Sequence, residues 1–143
     1  MSYDLKLKSG DLVIENGDLR VVVDSEKLIQ DLLKVAVTTA GSNQLFPWYG
    51  TYVSRTLIGS SLETGITMQI AQSQLQNAIT SIKALQEGQV RSGQIVSADE
   101  QINSIADISI NRNSNDPRLF DVKIKVISKG FKTITTAYTV DTI

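Results

Sequence analysis

The sequence predicts an α+β fold: an N-terminal β-meander, two main helices, a short helix and a C-terminal three-stranded antiparallel sheet. Three observations carry this expectation. Short apolar–polar alternations near the N-terminus are broken by Ser9-Gly10 and Asn16-Gly17, the turn chemistry of tight hairpins. Two central stretches repeat apolar residues at three- and four-residue spacing, the period of an amphipathic helix. Beyond residue 104 the alternation returns with β-branched and aromatic residues, which suit a half-buried strand. A chain of 143 residues fits one domain. It reads as a meander over 1–24, a helical part over 25–87 with an aromatic turn at 45–53, and a short helix and sheet over 97–143.

In the meander, Tyr3, Leu5 and Leu7 alternate with polar residues, then Leu12 and Ile14, then Leu19, Val21 and Val23. Gly10-Asp11-Leu12 and Gly17-Asp18-Leu19 echo each other, one hairpin grammar used twice. Asp24 or Ser25 can cap a first helix over 26–39. Leu28, Leu32, Val35 and Ala36 fall on one face of it, Ile29, Leu33 and Val37 widen that face, and Gly41 fits a C-terminal stop.

The helix leads into 45–53, LFPWYGTYV, which gathers Phe46, Trp48, Tyr49 and Tyr52 in a chain with only 6% aromatic residues. Aromatic rings bury the most area per residue, so the cluster predicts a core plug with Trp48 substantially buried. The alternative is that part of the cluster faces a partner, since Tyr and Trp are favoured interface anchors.

Residues 59–65 read as a turn or a single helical turn, followed by a longer helix over 67–86. Ala71, Leu75, Ala78, Ile79, Ile82 and Leu85 form its apolar stripe. The other face carries the uncharged Gln69, Gln72, Gln74, Gln76 and Asn77, with Lys83 and Glu87 the only charges near the C-terminal end. This is either a neutral solvated face or one packed on other protein, where amides avoid the cost of desolvating charge. Gln69, Gln72 and Gln76 share one side and are the candidate contacts. Residues 87–97 read as a linker or loose hairpin. Ser97 and Glu100 fit a capping box that starts a short helix over 98–104. Strands then follow near 105–111, 120–126 and 134–140, separated by a loop at 113–117 and a turn at Ser128-Lys129-Gly130. Asp121, Lys123 and Lys125 point away from the apolar face of the middle strand.

Composition narrows the function. The net charge of −1 supplies no basic field for nucleic acid or an anionic membrane. No apolar run is long enough to span a bilayer, and the first residues lack the apolar segment of a secretory signal. With no Cys and no His there is no thiolate nucleophile, no imidazole base and no zinc ribbon. Catalysis is left to carboxylates, Lys, Tyr, Ser and Thr. Asp11, Glu15, Asp18 and Asp24 sit beside turns, Glu100 at a cap and Asp121 on a strand exterior, so each acid has a structural reading. The expectation is a non-enzyme with no catalytic residue, metal ligand or cofactor.

The order of elements, together with several local words, resembles the baseplate wedge proteins of contractile phage tails, the sheath-initiator family. Relatives of that family occur in type VI secretion and contractile bacteriocins. The words are the two Gly-Asp-Leu hairpins, Gln30-Asp31-Leu32, the helix end at Thr39-Ala40-Gly41, and Tyr49-Gly50-Thr51. Asp116-Pro117-Arg118 looks like the family's Glu-Pro-Arg motif but lies after the first strand of the sheet and reads as a turn. The positional match is Glu100-Gln101-Ile102, which keeps the acid and lacks Pro and Arg.

The resemblance implies a structural part of the virion tail baseplate, made in the host bacterial cytoplasm. Its partners would be the tail sheath protein, other wedge proteins and the tail tube, with no nucleic acid and no membrane. Gln69, Gln72, Gln76 and Glu100 are the expected wedge contacts. The final strand, with Thr133, Ile134, Thr135, Thr136, Tyr138 and Val140, has no charge and no Pro up to Val140, and the sequence ends soon after it. It is therefore expected to be an open edge that templates the first sheath ring by strand addition. The rival readings are a carboxylate-based peptidoglycan glycosidase, which needs two carboxyls facing one cleft, and an adaptor domain of another β-rich assembly.

Overall fold

The computed structural model describes residues 2–58 and 64–141, so the turn expected at 59–65 lies largely outside the described residues. The architecture is α+β as the pattern predicts, with N-terminal antiparallel strands, three helices and a C-terminal three-stranded antiparallel sheet. No helix among the described residues is long and apolar enough to cross a membrane.

The N-terminal unit is built from three two-stranded ladders. β1 (Tyr3–Leu5) pairs with β6 (Val21–Val23), β2 (Leu7–Lys8) with β3 (Asp11–Leu12), and β4 (Ile14–Glu15) with β5 (Asp18–Leu19). Both hairpins turn through left-handed pairs, Ser9-Gly10 (φ 53° and 81°) and Asn16-Gly17 (φ 53° and 80°), the conformation a two-residue turn needs. The ladders meet in a closed ring of backbone hydrogen bonds. The Lys6 amide donates to the Arg20 carbonyl at 2.8 Å, Val13 to Lys6 at 3.1 Å and Arg20 to Val13 at 2.9 Å. The expected three-strand meander thus becomes three short arms, because the chain changes partner at each of these junction residues.

α1 (Asp24–Val37) buries Leu28, Leu32, Val35 and Ala36, the face its periodicity predicts. No side chain caps its start; Asp24 lies in the left-handed region (φ 51°) and its carboxylate accepts a hydrogen bond from the Ser97 hydroxyl at 2.6 Å. Buried Gln30 fastens the first two strands to the helix. Its amide donates to the Leu5 carbonyl (2.8 Å) and to Asp4 (3.0 Å), and its oxygen accepts from the Leu7 amide (2.9 Å). Lys34 adds an ion pair to Asp4.

After α1 the chain loops out and returns to the same helix end. Thr51 donates its amide to Thr38 (2.8 Å), accepts from the Ala40 amide (3.0 Å) and donates its hydroxyl to the Ala36 carbonyl (2.9 Å). α2 (Val53–Leu57) follows, with Val53 and Leu57 fully buried. The aromatic cluster forms as rings meeting edge to face, Phe46 on Trp48 and Trp48 on Tyr49, both at 6.1 Å. It is not a core plug. Trp48 is 48% exposed, and Phe46 and Tyr52 are exposed too, while Tyr49 alone packs against the core. Val53, Leu57 and Thr51 occupy the interior next to the helix end, which leaves the rings outside. Trp48→Ala should therefore cost about 1 kcal/mol or less, the range of surface changes, rather than the cost of a core aromatic. Urea unfolding would check this, and free protein should emit at the wavelength of hydrated tryptophan.

α3 (Thr64–Arg91) runs past the expected end at 86 into the stretch read as a linker. Gly88 costs a helix only about 1 kcal/mol, and its neighbours Glu87, Gln89 and Arg91 are good helix formers. Ala71, Leu75, Ala78, Ile79 and Ile82 are buried as predicted, but Leu85 is exposed and Gln86 takes the inner position. Gln86 donates to the Glu100 carbonyl (2.8 Å) and accepts from the Ile102 amide (2.9 Å), pinning the start of the sheet. The expected helix over 98–104 shrinks to one 3-10 turn, Ala98–Glu100, and no capping box forms at Ser97. β7 (Ile102–Arg112) starts directly after it. It pairs with β8 (Leu119–Ser128), which pairs with β9 (Thr133–Asp141), all antiparallel. Phe120, Val122, Ile124 and Val126 face the helices with Ile134 and Val140, whereas Asp121, Lys123 and Lys125 face outward. One helical layer thus covers one face of the sheet.

Candidate functional site

The sheet order β7-β8-β9 leaves β9 with a ladder on one side only among the described residues. Strand alternation turns Ile134, Thr136, Tyr138 and Val140 toward the helices and leaves Thr133 and Thr135 exposed. What this edge offers is therefore backbone, with N–H and C=O groups in a row and no charge between Thr133 and Val140.

Beside this edge runs an apolar groove of about 560 Å³, walled by Leu7, Ile29, Leu33, Val37 and Tyr138. The residues that widen the apolar face of α1 thus line an open groove instead of entering the core. Tyr138 is half-buried there and its hydroxyl oxygen has no hydrogen-bond partner. Burial pushes its pKa up from 10.0 to about 12. The folded state therefore holds the phenolic proton where the unfolded chain releases it, so this contribution is intact below pH 10 and is lost as pH rises from 10 toward 12. Tyr138→Phe should flatten that part of the profile relative to wild type and be neutral or stabilising at pH 7, because it removes an unpaired hydroxyl. Urea midpoints of both proteins across this range would check it.

Under the groove lies an ion-pair cluster. Burial raises the Asp4 carboxyl, but the Lys34 ammonium and the Gln30 amide outweigh it and hold Asp4 below the usual carboxylate value. Lys34 itself loses by burial and gains more from Asp4 and Asp31, so its pKa is raised. These charges are committed to each other, which argues for architecture there.

The expected wedge contacts separate. Gln69 and Gln76 are exposed on α3. Gln72 is engaged within the chain, since its amide donates to the Ile108 carbonyl of β7 at 3.0 Å. Glu100 is buried at 1% exposure, with one oxygen accepting from the Ser2 hydroxyl at 2.6 Å and the other without a partner. It cannot meet a partner protein unless Ser2 moves. Asp99, next to it, pairs with Lys132 at 2.6 Å, and Asp24 holds Ser97. Asp116 and Arg118 close their own turn through an ion pair at 3.0 Å, as a turn reading expects. Among the described residues no three acids converge as a metal site.

Sequence reasoning missed the buried amides Gln30 and Gln86, the Thr51 latch and the groove itself. Tyr49-Gly50-Thr51 was the one local signal for the latch, because a glycine followed by a small hydroxyl residue suits a close backbone approach.

No protein-family model matches the chain, and no curated protein matches it in sequence. The fold is shared with the crystal structure of a Geobacter sulfurreducens protein named "putative tail lysozyme". The two are 11% identical, the TM-score is 0.58, and the match covers 81% of this chain and 88% of that one. At that identity the likeness establishes a common fold. It also corrects one expectation: the non-enzyme reading is overturned, because a protein of this fold carries the name of an enzyme.

Proposed function

We propose that this chain is a structural component of a contractile phage tail baseplate, placed in the virion and made in the host cytoplasm. It binds other wedge proteins and the tail tube, and it templates the first ring of tail sheath. The observation that supports this is the edge of β9, nine residues long, uncharged through Val140 and paired on one side. An edge of this kind is a liability in a free protein and a template for an incoming strand. Successive residues of a strand point their N–H groups to opposite sides, so one of Thr135 and Thr136 donates to β8 and the other faces outward. Thr135→Pro and Thr136→Pro should therefore differ: one variant loses a ladder bond and stability, the other folds normally and loses only the outward donor. The folded variant should give baseplates and tubes without sheath by electron microscopy. Fully sheathed tails from that variant would sink the edge as the template.

A second reading, a carboxylate-based peptidoglycan glycosidase, is favoured by the name of the protein that shares the fold, which speaks for it more directly than for the first. The chemistry needs one protonated and one ionised carboxyl across a glycosidic bond. Glu100 supplies a protected carboxyl with one free oxygen, and Asp24 and Asp99 lie on the segments that pack beside it. Sugar access would require Ser2 to swing away from Glu100. On this reading purified chain clears a peptidoglycan suspension and Glu100→Gln does not. Clearing that survives Glu100→Gln, or no clearing at all, counts against it.

A further inference from the structure

We propose that the tip of the loop between α1 and α2, residues 45–48, is a docking anchor that enters an uncharged apolar pocket on another protein of the tail particle. This rests on the tail reading above. Leu45 is 82% exposed, Phe46 51% and Trp48 48%. Other apolar side chains, Ile95 and Phe131 among them, are exposed too, but here the exposed groups adjoin one another as an apolar knob and include the one tryptophan. Isolated exposed apolar residues need no explanation, but a contiguous group including Trp marks an interaction surface.

The knob is held in shape. The Asn43 side-chain oxygen accepts from the amides of Leu45 (3.0 Å) and Phe46 (3.3 Å). Gly41 donates its amide to the Pro47 carbonyl (3.0 Å), and Tyr49 to the Phe46 carbonyl (3.0 Å). Tyr49 then seats the knob against the core, and Thr51 ties its far end to α1. A loop already fixed in one conformation loses little entropy when a partner closes on it.

Charge and shape select the partner. Residues 35–54 contain no charged side chain in a chain that is 20% charged. Burying this tip desolvates no ion, so an uncharged pocket is its complement. The same absence gives it no cation for phosphate or an anionic lipid headgroup. The rings of Phe46 and Trp48 stand 72° apart, and those of Trp48 and Tyr49 71° apart. Perpendicular rings form a knob that fits a concavity and offer no flat shared platform for a sugar.

The test is gene replacement in the particle-producing host with a Phe46→Ser/Trp48→Ser double variant, and quantitation of the chain in purified particles by mass spectrometry. The variant should match wild type in circular dichroism, keep a thermal midpoint within a few degrees of it, and fall at least tenfold in the particle. A Trp48→Phe variant, which keeps an aromatic anchor, should recover most of the incorporation. Wild-type incorporation of the double variant would overturn the proposal. So would tip-dependent self-association of pure protein by sedimentation, which assigns the tip to a second copy. Tip-dependent pelleting with phosphatidylcholine–phosphatidylglycerol vesicles would overturn it in favour of a membrane. Particles that lack even the wild-type chain would sink the tail reading and this proposal together, an outcome distinct from the loss of the variant alone.

Discussion

Gly50→Ala should unfold this protein more readily than any surface change, at a cost of about 3 kcal/mol or more. Two independent effects add at this residue. Its φ is +113°, a region L side chains rarely adopt. A Cβ there would also lie 2.5 Å from the Thr38 carbonyl oxygen and 2.9 Å from the Ala40 nitrogen. Both obstacles are backbone at the end of α1, so neither can swing aside as a side chain would. Relief requires breaking the Thr51 hydrogen bonds that close the loop, and α2 with its buried Val53 and Leu57 is attached through that closure. Gly41→Ala is the matched control. Its φ is +83°, but the nearest atom to an added Cβ is the Tyr52 hydroxyl at 3.8 Å. It should cost about 1 kcal/mol, the backbone component alone. Equal losses for the two variants in urea unfolding would show that the close approach at Gly50 contributes nothing.

Phe120→Ala should cost about 3–5 kcal/mol, the range for removing a fully buried aromatic. Phe120 is 1% exposed, sits opposite Val140 on β9 and Arg112 on β7, and carries the Arg112 guanidinium 5.0 Å above its ring. It stands at the end of the sheet where both ladders converge, so the void cannot be filled by a small shift of one strand. The thermal midpoint should drop by roughly 10 °C, given that about 1 kcal/mol moves a domain of this size by a few degrees. Phe120→Leu should recover most of the loss, because it conserves most of the volume. A midpoint within two or three degrees of wild type for Phe120→Ala would mean the ring is not closely packed.

Much of this architecture is legible in the sequence because its signals are local. Asn16-Gly17 fixes a hairpin by the φ values it permits, whatever surrounds it. The stripe of α1 and the alternation of β8 report a single buried face each, and both are observed. The misreadings have a common cause: they concern groups whose environment is set by distant residues. Gln30, Gln72 and Gln86 look like surface amides in sequence, yet each bonds a strand backbone that lies remote along the chain. Trp48 looks like core by area, but the interior was already filled by aliphatic residues of α2. Ser97 and Glu100 match a capping box by spacing, and Asp24 and Ser2 draw their side chains elsewhere. The edge of β9 was legible in its lack of charge. The groove beside it was not, because it exists only once the β2–β3 arm is folded against α1.

The closed backbone ring at Lys6, Val13 and Arg20 has a kinetic consequence. It joins two tight hairpins to the β1–β6 ladder that closes over both, and the C-terminal sheet pairs each strand with the next one along the chain. Hairpins of this kind close in about 1–10 μs, and short loops sacrifice little entropy in closing. The two ends of the molecule can therefore take shape separately and early. What remains for the slow step is docking them, through contacts such as Ser2 with Glu100 and Asp24 with Ser97 that span most of the chain. Contacts between residues so far apart raise the contact order of the whole chain, so docking of the two ends, and not closure of the hairpins, is expected to set the folding rate.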